Sequence, residues 1–117
     1  MSISSREFLR HIRDEIKFVL KHTETLDFNQ FYEDEVLKRS IVRSLEIIGE
    51  AVKNIDLELQ EAYPQVEWRA LAKTRDKLIH HYFGVDYEIV WNIIVAKLPG
   101  LLLQIEEIIQ NNSQEEF

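Results

Sequence analysis

The sequence of 117 residues has no cysteine. This absence excludes a disulfide framework, a zinc-thiolate site and a thiol nucleophile. A chain that needs no disulfide suits a reducing compartment, so we expect a cytoplasmic protein.

Glycine and proline are also scarce, with three and two residues. Because tight turns depend on these residues, a many-stranded sheet is excluded and an all-α fold is expected. Hydrophobic residues make up 45% of the sequence and charged residues 30%, which excludes intrinsic disorder as the main state. The length allows one compact domain spanning residues 1–117.

Long apolar runs are missing as well. The uncharged run Ile89 to Ala96 ends at Lys97, far short of the roughly 20 apolar residues that a spanning helix needs. Met1 is followed by Ser-Ile-Ser-Ser-Arg-Glu, which lacks the apolar core of a signal peptide. We therefore expect neither membrane insertion nor secretion.

Basic residues are outnumbered by acidic ones. The 14 Lys and Arg against 21 Asp and Glu give a net charge of −7, which argues against indiscriminate nucleic-acid binding. The segment Glu106 to Phe117 holds four Glu and no base. The balance reverses between residues 69 and 81, where four bases face one acid: Arg69, Lys73, Arg75 and Lys77 against Asp76.

Apolar residues recur at three- and four-residue spacing, which predicts four amphipathic helices. The predicted helices run from about Ser5 to Lys21, from Phe31 to Leu59, from Val66 or Glu67 to Tyr82, and from the N-cap Asp86 to Ile109. We expect an up-and-down bundle of four helices, or of five if the second breaks near residues 54–56. Residues 111–117 are predicted to be a frayed acidic tail.

Local signals refine these helix boundaries. The segment Ser4 to Glu7 has the spacing of a capping box, and residues 23–29 are predicted to form a loop. Gly49 predicts a close helix contact or a bend, because glycine otherwise costs helix stability. Gly84 is predicted to cap helix three in a left-handed conformation, and Pro99-Gly100 to kink or interrupt helix four.

Helix three carries the residues of most chemical interest. On a helical wheel, Arg75 falls in the middle of the predicted apolar face. A buried guanidinium needs a partner, and the simplest one is Glu46 or Glu50 on helix two. The alternative is that Arg75 binds an anionic ligand.

His80 follows Arg75 by five residues, which rotates it about 140° around a regular helix. The two side chains could still meet one phosphate if the last turn before Gly84 unwinds, or if a two-fold axis adds the same segment of a second subunit. Asp76 could orient the His80 imidazole, and Tyr82 could reach the same cleft. Each residue also has an interpretation without a catalytic function. His80 would be a solvated helix histidine, Asp76 would form an ordinary surface ion pair, and Tyr82 would be an aromatic residue at the edge of the core.

Other catalytic signatures are absent from the sequence. It has no Gly-rich phosphate loop, no His-Glu-x-x-His and no acidic calcium loop, and no carboxylate spacing singles out a metal site. We therefore predict no metal and no cofactor.

Residues 75–82 read Arg-Asp-Lys-Leu-Ile-His-His-Tyr, the pattern R-x-x-x-x-H-x-Y. This segment resembles the HEPN superfamily and, more narrowly, HepT, the toxin of prokaryotic HEPN/MNT toxin–antitoxin systems. The similarity extends to residues 45–52, to Trp68, and to Val90-Trp91 with Leu98-Pro99. It therefore covers most of the chain.

The resemblance implies a metal-independent endoribonuclease toxin of the type VII kind that works as a homodimer, with Arg75 and His80 in the catalytic positions and RNA as substrate. It also implies an MNT-type nucleotidyltransferase antitoxin that transfers AMP from ATP onto Tyr82. The alternative is a non-catalytic helical subunit that binds substrate or nucleotide for a nucleotidyltransferase. A helical dimer in which Arg75 is only an ion-pair partner remains a third interpretation.

Overall fold

The computed structural model describes residues 1–80 and 84–112, with the backbone alone at residues 79 and 80. These residues form eight α-helices, one π-helical turn (Ile93–Lys97) and two short strands. The helices are α1 (Ile3–Thr23), α2 (Phe28–Glu33), α3 (Glu35–Lys53), α4 (Leu57–Ala62), α5 (Trp68–Ala72), α6 (Thr74–Leu78), α7 (Tyr87–Asn92) and α8 (Leu98–Asn112). The strands are β1 (Ile79–His80) and β2 (Gly84–Val85). The predicted frayed tail lies outside the described residues from residue 113 onward.

Helix α1 begins earlier than its sequence pattern predicted. Its N-cap is Ser2, whose hydroxyl accepts the N–H of Ser5 at 3.0 Å, so the predicted capping box at Ser4 is wrong. Ser5 is fully buried instead, and its hydroxyl accepts the N–H of Asp56 at 3.0 Å. The serines at the start of α1 therefore attach it to the segment that precedes α4.

The predicted second helix is divided into α2, α3 and α4. Asp27 and Gln30 form a capping box at the start of α2, so the predicted loop over residues 23–29 ends too late. Asp34 has an extended backbone (φ −92°, ψ 95°) that ends α2, and its carboxylate caps α3. The predicted break near residues 54–56 is confirmed, because α3 ends at Lys53.

The predicted third helix is shorter than expected and is interrupted. Lys73 (φ −100°, ψ 13°) separates α5 from α6, and α6 ends at Leu78 rather than at Tyr82. Strands β1 and β2 then pair antiparallel, and the N–H of Asp86 donates to the Leu78 carbonyl at 2.7 Å. Gly84 has the predicted positive φ of 74°, but it begins β2 instead of capping a helix.

The predicted fourth helix begins as expected, because the Asp86 carboxylate accepts the N–H groups of Glu88 and Ile89. Pro99 and Gly100 lie within α8, so they do not interrupt the helix. The distortion lies one turn earlier, in the π-helical turn, where the Leu98 N–H bonds the carbonyl five residues before it. A π-helical turn is one way for a helix to accommodate a proline ring and its missing donor.

Buried apolar side chains from the helices form one core, and the all-α fold class is confirmed. Helix α1 packs against α3 and α8, and α3 also packs against α5 and α6. Fully buried core residues include Leu9, Ile12, Ile16, Phe31, Ile41, Leu78 and Ile105. Helix α3 therefore supports the segment that carries Arg75.

An aromatic cluster attaches α2 to α7. The rings of Phe31 and Trp91 stack with their centroids 5.2 Å apart, and the Lys38 ammonium lies 4.1 Å from the Tyr32 ring centroid and 4.6 Å from that of Tyr87. A 2.8 Å ion pair with Glu35 completes the surroundings of Lys38, and this hydrogen bond raises the pKa of Lys38. These contacts fix the start of α7, which directly follows the strand pair.

The helical segment Tyr87–Asn112 is long and apolar enough to cross a membrane, judged by length and composition. Its buried residues belong to the core of the fold, and α8 packs against α1. Those buried residues are Val90, Ile94, Leu98, Leu101, Ile105 and Ile108.

Candidate active site

Arg75 lies on α6 with its side chain 70% exposed, so the predicted burial in the apolar face is wrong. The break at Lys73 turns α6 so that Thr74 faces inward instead. Thr74 is 6% exposed, and its hydroxyl donates to the Leu71 carbonyl at 2.7 Å. The predicted pairing with a carboxylate of the second helix is confirmed, since Arg75 Nε lies 3.8 Å from Glu46 Oε2.

Gly49 allows α5 and α6 to lie directly on α3. A Cβ built at Gly49 would lie 3.0 Å from the Leu71 carbonyl oxygen and 3.9 Å from the Cβ of Thr74. A larger residue at Gly49 would require α3 to move away from the segment that contains Leu71 and Thr74. The predicted close helix contact at Gly49 is therefore confirmed, and it sets the distance between Glu46 and Arg75.

A surface groove of about 220 Å³ lies along this contact between α3 and the Arg75 segment, which consists of α5 and α6. Three basic and two acidic side chains line it, so it is positive within an acidic chain. Two of these bases, Arg43 and Lys53, were not predicted from the sequence, although the four charged residues of α3 that line the groove follow helical spacing. The lining is Arg43, Glu46, Gly49, Glu50, Lys53, Ala72 and Arg75.

The Arg75 guanidinium is available to an anion in this groove. The 3.8 Å contact with Glu46 is an ion pair but is too long for a hydrogen bond. Arg75 donates no hydrogen bond to any residue that the structure describes. An exposed guanidinium without hydrogen-bond partners has the donors that a phosphate group binds.

The backbone of His80 lies in β1, beyond the end of α6. The chain therefore leaves the helix between Arg75 and His80, and the 140° separation expected for a regular helix does not apply. This unwinding is one of the two conditions under which we expected both groups to reach one phosphate. Asp76 is exposed on α6, but the helical i,i+4 relation to His80 on which its supporting role rested is absent.

The remaining predicted site residue, Tyr82, lies outside the described residues, as does His81. Within residues 1–80 and 84–112, no group of three or more His, Asp or Glu is arranged to hold a metal ion.

The family model "Ribonuclease HepT-like" matches residues 12–108, which include the whole R-x-x-x-x-H-x-Y segment. The chain belongs to this family. The resemblance to HepT within the HEPN superfamily is thereby confirmed. Membership in this family supports an RNase of the HEPN type.

Relatives of this HepT-like chain match nearly end to end. A Methanocaldococcus jannaschii protein named "Putative RNase" is 44% identical over 111 residues, which cover 95% of this chain and 92% of the relative. A Caldanaerobacter subterraneus subsp. tengcongensis protein with the same description is 48% identical over 105 residues, covering 90% and 94%. The "Probable ribonuclease HepT" of Thermococcus cleftensis is 36% identical over 108 residues, covering 92% and 98%. No solved structure matches the chain.

Proposed function

We propose that this HepT-like chain is a metal-independent endoribonuclease that acts as a homodimer, with Arg75 and His80 as its catalytic residues. The observation that carries the proposal is the exposed Arg75 guanidinium, which lines a positive groove and is not hydrogen-bonded to any described residue. The end of α6 before His80 supports it further, because the two residues need not diverge around one helix. RNA is the substrate.

RNA supplies its own nucleophile, the 2′-hydroxyl, so the enzyme needs only to move protons and stabilise charge on phosphorus. His80 of one protomer takes the 2′-proton while the O2′–P bond forms. The P–O5′ bond breaks, and the partner's His80 gives a proton to the departing 5′-oxygen. The products are a 2′,3′-cyclic phosphate and a free 5′-hydroxyl.

Each catalytic residue makes a separate contribution to this reaction. Histidine has an ordinary pKa near 6.5, so one imidazole can act as base and the other as acid at neutral pH, with an acceleration of roughly 10²–10⁴-fold. Arg75 donates to the oxygens on phosphorus, where negative charge grows in the transition state. By analogy with oxyanion donors, this stabilisation amounts to about 3 kcal/mol.

The proposed biological setting is a cytoplasmic toxin–antitoxin pair. The partner is an MNT-type nucleotidyltransferase that transfers AMP from ATP onto the Tyr82 hydroxyl and releases pyrophosphate. The added group brings a negative phosphate and a bulky base to Tyr82, two residues after His80 in the sequence. It opposes RNA binding through both charge and volume.

The decisive experiment is cleavage of single-stranded RNA by the purified protein in the presence of EDTA. We expect cleavage by the wild type, and loss of cleavage in His80→Ala with the helical circular dichroism signal kept. His11→Ala, on the exposed side of α1, is the matched control and is expected to cleave normally. Full activity in His80→Ala would overturn the proposal, whereas partner or nucleotide binding without any cleavage would favour the non-catalytic subunit.

A further inference from the structure

The groove beside Arg75 is lined on one side by a stripe of four charged residues on α3. They are spaced by three, four and three residues, which places all of them on one face of the helix over roughly 15 Å. In chain order they are Arg43, Glu46, Glu50 and Lys53. The two bases lie at the ends of the stripe and the two acids lie between them.

The two end bases differ in their partners. Lys53 Nζ is paired with Glu50 Oε1 at 3.2 Å, and Glu46 is paired with Arg75. Arg43 is exposed and forms no ion pair with any residue in the described part of the chain. Arg43 is therefore the one cation of the groove lining that has no ion-pair partner among the described residues.

We propose that Arg43 binds a backbone phosphate of the RNA next to the phosphate held at Arg75, an inference that rests on the proposed ribonuclease function. Arg43 lies about one helical turn before Glu46, the contact residue of Arg75, and both arginines line the same groove. Two guanidiniums along one groove suit successive phosphates of a strand, because each guanidinium donates in a planar fork. Arg43 is a substrate-binding residue in this scheme, and the proton transfers belong to His80.

The test measures RNA binding separately from cleavage. In the His80→Ala protein, the affinity for a fluorescently labelled single-stranded RNA is measured by anisotropy over a series of KCl concentrations. Arg43→Gln is expected to weaken binding about three- to tenfold and to reduce the slope of log K against log salt by about 0.7 for each phosphate that the protein no longer neutralises. Arg43→Lys keeps the charge and is expected to keep most of that slope.

The matched control is Arg39→Gln, one turn earlier on the same helix. Arg39 is 80% exposed and lies 3.8 Å from Glu35, and it does not line the groove. This variant makes the same change in net charge, and we expect it to leave the affinity and the salt slope close to those of the parent protein. In the active protein, Arg43→Gln is expected to raise KM several-fold, with the smaller effect on kcat.

The outcomes separate this inference from the ribonuclease proposal. Equal effects of Arg43→Gln and Arg39→Gln in a protein that cleaves RNA would overturn the assignment of Arg43 and leave the ribonuclease proposal standing. If RNA binding depends on Arg43 but the wild-type protein never cleaves RNA, the assignment of Arg43 is supported and the ribonuclease proposal is overturned. If the protein neither binds the labelled RNA nor cleaves RNA, both the assignment of Arg43 and the ribonuclease proposal are overturned.

Discussion

The Nε atom of Arg75 lies 3.8 Å from the Oε2 atom of Glu46, across the contact between α6 and α3. The arginine side chain is 70% exposed and the glutamate side chain 25% exposed, so solvent screens the pair strongly. Ion pairs of this kind contribute about 0–1 kcal/mol to stability. Arg75 is therefore not needed to stabilise the fold. A variant without Arg75 can show an effect on activity while the protein stays folded.

Arg75→Ala is expected to reduce kcat for RNA cleavage by roughly 10²-fold or more, because the variant has no donors to stabilise charge on phosphorus. The free energy of unfolding should change by no more than about 0.5–1 kcal/mol, because the ion pair with Glu46 is exposed. Single-turnover cleavage and urea unfolding measure the two effects.

Arg69→Ala is the control for this variant, since Arg69 is exposed on neighbouring α5 and lies outside the groove. It should leave kcat within about twofold of the wild type at moderate salt. If Arg75→Ala lost much stability but no cleavage activity beyond the effect of unfolding, Arg75 would have a structural role and not a catalytic one.

Most of the helical fold could be predicted from the sequence, because the apolar spacing of the long helices depends on local periodicity alone. The start of α7 after Asp86 was predicted because Asp is a good N-cap, and the end of α3 was predicted as a break near residues 54–56. The break at Asp34 was not, because an Asp within an apolar pattern is read as a surface position. Only the structure shows that it ends one helix and caps the next.

The candidate site was predicted less completely. The helical wheel placed Arg75 on the buried face because it assumed one regular helix. The single non-helical residue Lys73 changes which face of α6 points inward. Pairing with Glu46 or Glu50 was predicted because a guanidinium on an apolar face needs a carboxylate, and the structure shows that the partner is Glu46. Arg43 was missed because it shares a groove with Arg75 only in the folded chain, which is a tertiary relation.

Gly49→Ala tests whether the close contact of α3 with the Arg75 segment supports activity. The new methyl group would lie 3.0 Å from the Leu71 carbonyl oxygen, so the segment must shift. We expect overpacking of about 1–3 kcal/mol to outweigh a helix-propensity gain of up to about 1 kcal/mol. Urea unfolding should show a less stable protein, and RNA cleavage should fall because the segment that carries Arg75 is displaced along the groove.

Gly100→Ala is the matched control, because Gly100 lies within α8 and a Cβ there would have no heavy atom within 4 Å apart from its chain neighbours and the backbone of its own helix. It should stabilise the protein by up to about 1 kcal/mol and leave cleavage unchanged. If Gly49→Ala proved as stabilising as Gly100→Ala, the contact with Leu71 would have no energetic role.

Coexpression with a nucleotidyltransferase partner is expected to add AMP to Tyr82. Mass spectrometry of the peptide that contains Tyr82 should show additions in whole AMP units, and the modified protein should lose RNA cleavage because the phosphate repels RNA. Tyr82→Phe should abolish the addition. Tyr32→Phe is the control, since Tyr32 is 47% exposed on α2 and would be modified if exposure alone determined the site.

Asp56 is expected to make the stability of the fold depend on acidity. The hydroxyl of Ser2, followed by that of Ser5, lowers the pKa of the Asp56 carboxyl. A carboxyl whose pKa is lowered by folding stabilises the folded state above its unfolded pKa, near 3.9, and loses that contribution as the pH falls through the folded value. Asp56→Asn should therefore be less stable than the wild type at neutral pH, and the difference should disappear in strong acid.

Urea unfolding at a series of pH values, with Ser2→Ala as a second variant, tests the origin of this effect. The Asp56 side chain makes no capping bond to α4, so its contribution depends on the hydroxyls of α1 rather than on the helix it precedes. Ser2→Ala keeps the carboxylate but removes its strongest partner, and should reduce the pH-dependent part of the stability. It should also cause a pH-independent loss, because Ser2 caps α1. A Ser2→Ala protein with the full pH dependence of the wild type would mean that another group holds the Asp56 carboxylate.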